Sequence, residues 1–303
     1  MVIAKSNETQ ADPATDAEVL HGRPHPQRWV VAIIVLILLG LLVRSFVNSQ
    51  IDWKVAGTYL FAPRVLEGLW LTIKISIAAT ILGLAGGVIM AAMRLSSNPV
   101  ASTVAWFYIW LFRSTPLYLQ LLIWFNLSIV FNSVNLFGLA EYPMVQVMTP
   151  AVAALLGLGL NESAYMAEII RGGILSVDDG QSEAATASGF SGLQSLRYIV
   201  LPQALPAIIP PLGNSTVSML KMSSLAAAIS YTELLSATQT IYFTNGYVIE
   251  LLFVAAFWYA ILTSLTSVGQ YFLERRFNRS RRALAGKPLL PGLRSLFSPK
   301  RGA

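Results

Sequence analysis

Apolar runs of membrane-spanning length recur six times in these 303 residues, at about Trp29–Val47, Val65–Met93, Val100–Val130, Val147–Leu175, Leu205–Ile229 and Val248–Phe272. Roughly 20 apolar residues is the length at which a helix crosses the hydrocarbon core. In lipid a helix satisfies its own backbone donors and acceptors, so the runs predict an all-α integral membrane protein of about six transmembrane helices. Only 12% of the residues are charged and the mean hydropathy is +0.60, which excludes an ordinary soluble domain. Cysteine is absent, so disulfides and thiolate metal sites are excluded as well.

Charge placement orients the spans. A polar tail (1–28) precedes an additional span (29–47), then comes a core (65–274) and a basic tail (275–303). The first span begins too late for a signal peptide and lacks a small-residue cleavage site, so it reads as a retained helix. Nine of the 21 Lys and Arg lie in the basic tail: Arg275, Arg276, Arg279, Arg281, Arg282, Lys287, Arg294, Lys300 and Arg301. Such a cluster directly after an apolar helix reads as a cytoplasmic anchor on the lipid bilayer. No nucleic-acid-binding module accompanies it, so no nucleic-acid partner is expected. An even number of spans then places both termini in the cytoplasm. Residues 131–146 and 232–247 contain no Lys or Arg, and 48–64 contain only Lys54 and Arg64, as the positive-inside rule requires of outer loops.

Within the spans, Ala79, Gly83, Gly87 and Ala91 place a small residue at every fourth position, a face on which helices pack closely. Pro202, Pro206, Pro210 and Pro211 at the start of the fifth span remove backbone donors and predict a bend or an interruption. Arg113, Glu162, Glu168 and Lys221 are ionisable at membrane depth. Each costs roughly 2.5–3.5 kcal/mol to insert and is a functional candidate, unless the four neutralise one another as structural pairs. Asn161, Glu162, Tyr165 and Glu168 form one polar helical stripe, as a helix lining a water-filled cavity would show. Arg171 stands three residues past Glu168 and could pair with it instead. His21 and His25 flank a proline in the polar tail and read as solvated, so no metal is expected. No G-x-x-x-x-G-K-[ST], H-E-x-x-H or nucleophilic elbow occurs, so the chain lacks an ATP site of its own and the means for covalent chemistry.

Glu183–Pro202 is a polar helix-turn-helix between apolar spans. Gly189 is placed to end one helix in the left-handed conformation, and Ser191 with Gln194 makes a capping box that starts another. Leu193, Leu196 and Val200 are expected to line one face of the second helix. Without further information such a segment is an amphipathic cytoplasmic hairpin. Its spacing (Glu183-Ala184-Ala185, three residues, Gly189, nine residues, then Ile199, Leu201 and Pro202) resembles the EAA loop of permease subunits of bacterial ABC importers. FRSTPLYLQL (112–121), AYMAEIIRGGILSVDDGQSEAA (164–185) and LKMSSLAAAISYTELL (220–235) extend the resemblance to the polar amino acid branch of type I importers. Ser114 stands where that branch usually has glycine, Glu162 where it commonly has a small residue, and the first span is an addition to it.

The resemblance implies an ABC type-1 permease core with a coupling hairpin at 178–204, in the bacterial inner membrane. The implied partners are a second permease subunit (same or homologous), a cytoplasmic ABC ATPase dimer seated on Glu183, Ala184, Ala185, Gly189, Ile199, Leu201 and Pro202, and an extracytoplasmic solute-binding protein. ATP and Mg would be held by the ATPase, with no cofactor in this chain. A polar or charged amino acid, or a close derivative, would cross by alternating access. Glu162 is expected to meet its ammonium or cationic side chain, Arg113 with Thr115 its carboxylate, and Ser223 and Ser224 to add neutral hydrogen bonds. Tyr165, Asn161, Glu168 and Lys221 complete the expected pathway. The rivals are an ion-coupled secondary transporter, which has no reason to keep the loop spacing, and an intramembrane enzyme, for which the chemical groups are missing.

Overall fold

The computed structural model describes residues 26–136 and 140–285, with side chains from 29 to 135 and from 141 to 277. Most of the basic tail and most of the N-terminal tail, His21 and His25 included, lie outside the described residues. The chain divides into two compact units after Ile51. In the first, α1 (Pro26–Val47) exposes every side chain from Trp29 onward, a surface suited to lipid.

The second unit opens with α2 (Trp53–Tyr59), capped by Asp52, whose carboxylate accepts from the backbone N–H of Lys54 at 2.9 Å. Helix α3 (Pro63–Leu95) places proline in its first turn, where the missing N–H has no helical partner to lose. The third expected span is two helices. Between α4 (Pro99–Ser114) and α5 (Leu117–Phe125) the backbone is extended at Thr115 (φ −109, ψ 141) and Pro116 (φ −62, ψ 133). Proline disfavours the helical conformation in the residue before it, and Thr115 takes the extended backbone that Pro116 favours.

A single turn, α6 (Leu127–Val130), leads to a two-stranded antiparallel hairpin, β1 (Ser133–Leu136) and β2 (Ala140–Pro143), with Ser133 opposite Pro143. This hairpin qualifies the all-α expectation. After α7 (Met144–Val147), helix α8 (Pro150–Leu175) starts at an N-cap, Thr149, slightly later than the apolar run.

Helices α9 (Asp179–Ala187) and α10 (Gly192–Ser195) form the polar segment. A π-turn at Leu196–Val200 runs into α11 (Leu201–Met222), a 3-10 turn follows at Ser223–Ile229, and α12 (Leu234–Asn245) and α13 (Val248–Ala285) complete the described chain. Helix α11 runs through Pro206, Pro210 and Pro211 as one helix, so of the bend or interruption expected there the interruption does not form. The chain breaks instead at Ser230–Glu233, where Ser230 takes φ 60.

By length and apolarity alone, Trp29–Val47, Pro63–Arg94 and Val248–Phe277 are each able to cross a membrane. The other expected spans are helical, but interrupted or more polar.

The small-residue face of α3 is buried, with Gly68, Ala79, Gly83, Gly87 and Ala91 on it. It packs on α8: a Cβ at Gly83 would lie 2.8 Å from Glu162 Cγ, and one at Gly87 2.7 Å from Met166 Cβ. Partner numbers rise together along both helices, so α3 and α8 run parallel. This close approach excludes larger side chains and sets what each face of α8 can meet.

Candidate functional site

The polar segment is held by local hydrogen bonds. Asp178 caps α9 by accepting from the Gly180 N–H at 2.9 Å. The helix ends in a left-handed Gly189 (φ 81), with Gly189 N–H donating to Thr186 O and Phe190 N–H to Ala185 O, both at 3.0 Å. These two bonds satisfy the last carbonyls and require a residue without a Cβ penalty at position 189. The capping box is formed: Gln194 N–H donates to Ser191 Oγ at 3.4 Å and Ser191 N–H to Gln194 Oε1 at 2.8 Å. Helix α10 is only one turn long, and the π-turn then carries the helical path into α11 without a gap.

Glu183, Ala184, Leu201 and Pro202 are exposed, Ile199 is half-buried and Ala185 is buried. Leu193 is 75% exposed and Tyr198 60%, whereas Val200 is only 7% exposed. The outward apolar edge is therefore Leu193, Leu196 and Tyr198. Val200 belongs to the fold, because the π-turn rotates it inward.

The intramembrane polar stripe divides. Tyr165 and Glu168 face a cleft of about 480 Å³ that is also lined by Arg94, Trp106, Trp110, Arg113 and Arg171. The Arg113 guanidinium carbon lies 5.3 Å from the Tyr165 ring centre, a cation–π contact. Glu168 accepts from Arg171, Nη2 to Oε2 at 2.8 Å and Nε to Oε1 at 3.1 Å and Oε2 at 3.3 Å, so the pairing foreseen as the alternative is the one formed. Arg113 has no ion-pair partner among the described residues.

Asn161 points elsewhere. Its Nδ2 donates to Phe112 O at 3.0 Å and to Gln120 Oε1 at 3.1 Å. Thr115 Oγ1 donates to Leu111 O at 2.9 Å and accepts from Gln120 Nε2 at 2.8 Å. Both serve the break between α4 and α5. Ser223 is fully buried and donates to Leu220 O at 2.9 Å, and Ser224 donates to Lys221 O at 2.7 Å. Lys221 is exposed on α11 and does not line the cleft. Glu162 is buried against Gly83, away from the cleft.

The model of the binding-protein-dependent transport system inner membrane component matches residues 83–279. An arginine transport system permease protein of Corynebacterium glutamicum is 43% identical over 269 residues, covering 88% of this chain and 85% of that protein. The chain belongs to the family of binding-protein-dependent inner membrane transport components. A glutamate/aspartate import permease protein of Escherichia coli O6:H1 is 34% identical over 230 residues, 75% of the permease and 98% of that protein. The solved structure of an amino acid ABC transporter with histidines superposes with a TM-score of 0.65 at 33% identity, over 75% of the permease and 100% of that chain. The permease is thus a non-enzymatic membrane subunit of an ATP-driven amino acid importer. Hydrolysis belongs to a separate ATPase, and the ion-coupled reading loses its support.

Two groups escaped the sequence reading of the permease. Arg94, Trp106 and Trp110 line the cleft, and the legible signal was a further arginine at the end of a span beside an aromatic-rich helix. Glu233 is completely buried and caps α12, accepting from Leu235 N–H at 2.9 Å and Ser236 N–H at 2.7 Å. An acid directly before Leu234-Leu235 was its only signal, and it lay in what read as an outer loop.

Proposed function

We propose that the permease imports a charged amino acid as one of two permease subunits, with both termini and the hairpin in the cytoplasm. A dimeric ATPase docks on the hairpin and a solute-binding protein delivers substrate from outside. The hairpin carries this reading. It is stiffened within by the glycine turn and the capping box, apolar at its outer edge, and continuous with α11, so a push on Leu193 and Tyr198 travels into a span rather than into a flexible loop. ATP-driven closure then shifts the subunit between outward- and inward-facing states.

The name of the relative at 43% identity, which carries arginine, supports a charged substrate. Two cleft guanidiniums lie outside the Glu168–Arg171 pair, and Arg94 donates to Ser102 Oγ at 2.9 Å; Arg113 receives the substrate carboxylate, for which a guanidinium offers two parallel N–H donors.

Gly189→Val tests the coupling. A β-branched side chain cannot adopt φ near 81 without strain, so the variant should insert normally yet lose substrate-stimulated ATP hydrolysis and uptake. Wild-type uptake by that variant would sink the docking assignment. Orientation has its own check in this cysteine-free chain. Thr244→Cys should react with an impermeant thiol reagent added outside intact cells, and Leu193→Cys should not. The reverse pattern would invert the topology.

A further inference from the structure

Lys74 stands inside the second expected span, on a face of α3 that is otherwise apolar and exposed. Trp70, Ile77 and Ile81 share that face and are 56%, 54% and 63% exposed. Their spacing from Lys74 places all four in one helical stripe. The Lys74 ammonium takes no part in an ion pair among the described residues. Instead its Nζ lies 5.3 Å from the Trp70 ring centre, one turn toward the N-terminus of α3, as helical side chains lean. Residues 75–93 carry no charge, and Arg94 closes that run. At the helical rise per residue, the run from Lys74 to Arg94 spans about 30 Å, the thickness of the hydrocarbon core. Lys74 and Trp70 therefore lie at a membrane boundary, where lysine and tryptophan anchor a span.

On the hydrocarbon side of this pair, a cavity of about 360 Å³ lies between α3, α11 and α13. Its apolar wall is Ile73, Ile77, Ile81, Leu220 and Leu262. It also shows four hydroxyls, which differ in what they are free to do. Thr216 Oγ1 donates to Leu212 O at 3.0 Å and Thr266 Oγ1 to Leu262 O at 2.8 Å, each within its own helix. Ser76 Oγ and Thr80 Oγ1 have no hydrogen-bond partner among the described residues, and Ser76 is only 3% exposed. Both free hydroxyls belong to α3, about 3 Å and 9 Å further along its axis than Lys74. A buried hydroxyl without a partner costs free energy until an acceptor reaches it. From the boundary inward the order is thus a cation beside an aromatic ring, two hydrogen-bond donors, and an apolar hollow. A glycerophospholipid presents its phosphate, its ester carbonyls and its acyl chains in that same order.

We infer that Lys74, Trp70, Ser76 and Thr80, with the cavity beneath them, bind one phospholipid of the surrounding bilayer. Lys74 meets the phosphate, the two hydroxyls donate to ester carbonyls, and one acyl chain enters between α3, α11 and α13. Ile77 and Ile81 line the cavity yet remain exposed, so the chain enters sideways from the bilayer. None of these residues lines the cleft at Arg113. With the N-terminal end of α3 outside, as the orientation proposed above requires, the lipid belongs to the outer leaflet. Helix α11 continues from the hairpin, so the chain occupies a seam beside the helix that coupling would move.

The test uses the full-length permease in detergent micelles and phosphatidylglycerol carrying a diazirine midway along one acyl chain. After irradiation the adducts are mapped by peptide mass spectrometry. They are expected on residues 73–81, 216–220 and 262–266, and should saturate as lipid is added. Lys74→Gln should lower them about fivefold, the worth of one basic residue at a lipid surface, and Lys74→Arg should keep them. Thr80→Val, which removes a donor and keeps the shape, should lower them roughly two- to fivefold. Lys54→Gln, the same charge change outside the site, should alter nothing, and an equal loss there would reduce the effect to bulk charge and overturn the proposal. Adducts spread over the exposed faces of α3 and α13, unmoved by Lys74→Gln, would mean ordinary bilayer contact and overturn it too. Removal of the adducts by inorganic phosphate would assign Lys74 to a free anion. Their loss on self-association, followed by sedimentation, would assign the face to a second copy of the chain. Either result also overturns the lipid site.

Discussion

The break between α4 and α5, inside an expected span, and the break between α11 and α12, at the end of one, are closed by different means. At the first, Pro116 has no N–H to give to Phe112 O, and side chains fill the vacancy: Gln120 Nε2 donates to that carbonyl at 2.9 Å and Asn161 Nδ2 at 3.0 Å. At the second there is no proline. Ser230 turns left-handed, and the exposed start of α12 is closed by Glu233, by Thr72 Oγ1 accepting from Leu234 N–H at 3.0 Å, and by Tyr259, whose hydroxyl donates to Glu233. Meanwhile α11 holds three internal prolines and does not break. Non-helical backbone between these helices thus follows the side chains able to replace lost partners, more than the count of prolines.

This contrast can be broken at its strongest point first. Glu233→Ala should have the largest effect, because it strands two half-buried N–H groups and the Tyr259 hydroxyl. A loss of about 3–5 kcal/mol is expected, read as the lowest melting temperature of the detergent-solubilised variants. A melting point near wild type would mean that water closes the break and the carboxylate is dispensable.

Gln120→Leu should cost less, about 1–3 kcal/mol, since Asn161 still reaches Phe112 O. Combining it with Asn161→Leu should cost more than the sum of the two single changes, because only the pair leaves that carbonyl bare. Strict additivity would show that the two amides do not share one task.

Pro210→Ala sharpens the other side of the comparison. If α11 tolerates its prolines, restoring the N–H should change stability by less than about 1 kcal/mol. A larger shift than that of Gln120→Leu would return the decisive role to proline.

The same distinction explains which sites were legible. The turn at Gly189 and the Ser191–Gln194 box form as written in the sequence, because a cap involves residues three or four apart and needs nothing else. Val200 did not follow, since a π-turn shifted its phase. Asn161, Thr115 and Ser223 carry the polar signature of a pathway, yet they bond to released carbonyls or to the preceding turn. A polar group at membrane depth answers equally to a substrate or to a stranded backbone group, and sequence alone does not show where backbone is stranded.

The sequence by itself determined the apolar segments, the capped polar hairpin and the family, because a run of apolar residues and a capped turn are local facts that each segment satisfies alone. Tertiary structure decided which polar side chains are spent on the helix breaks, that Glu168 is neutralised by Arg171, and that Glu162 is left unpaired at Gly83. Those outcomes depend on the register between parallel helices distant in sequence, and on how closely glycine lets them approach.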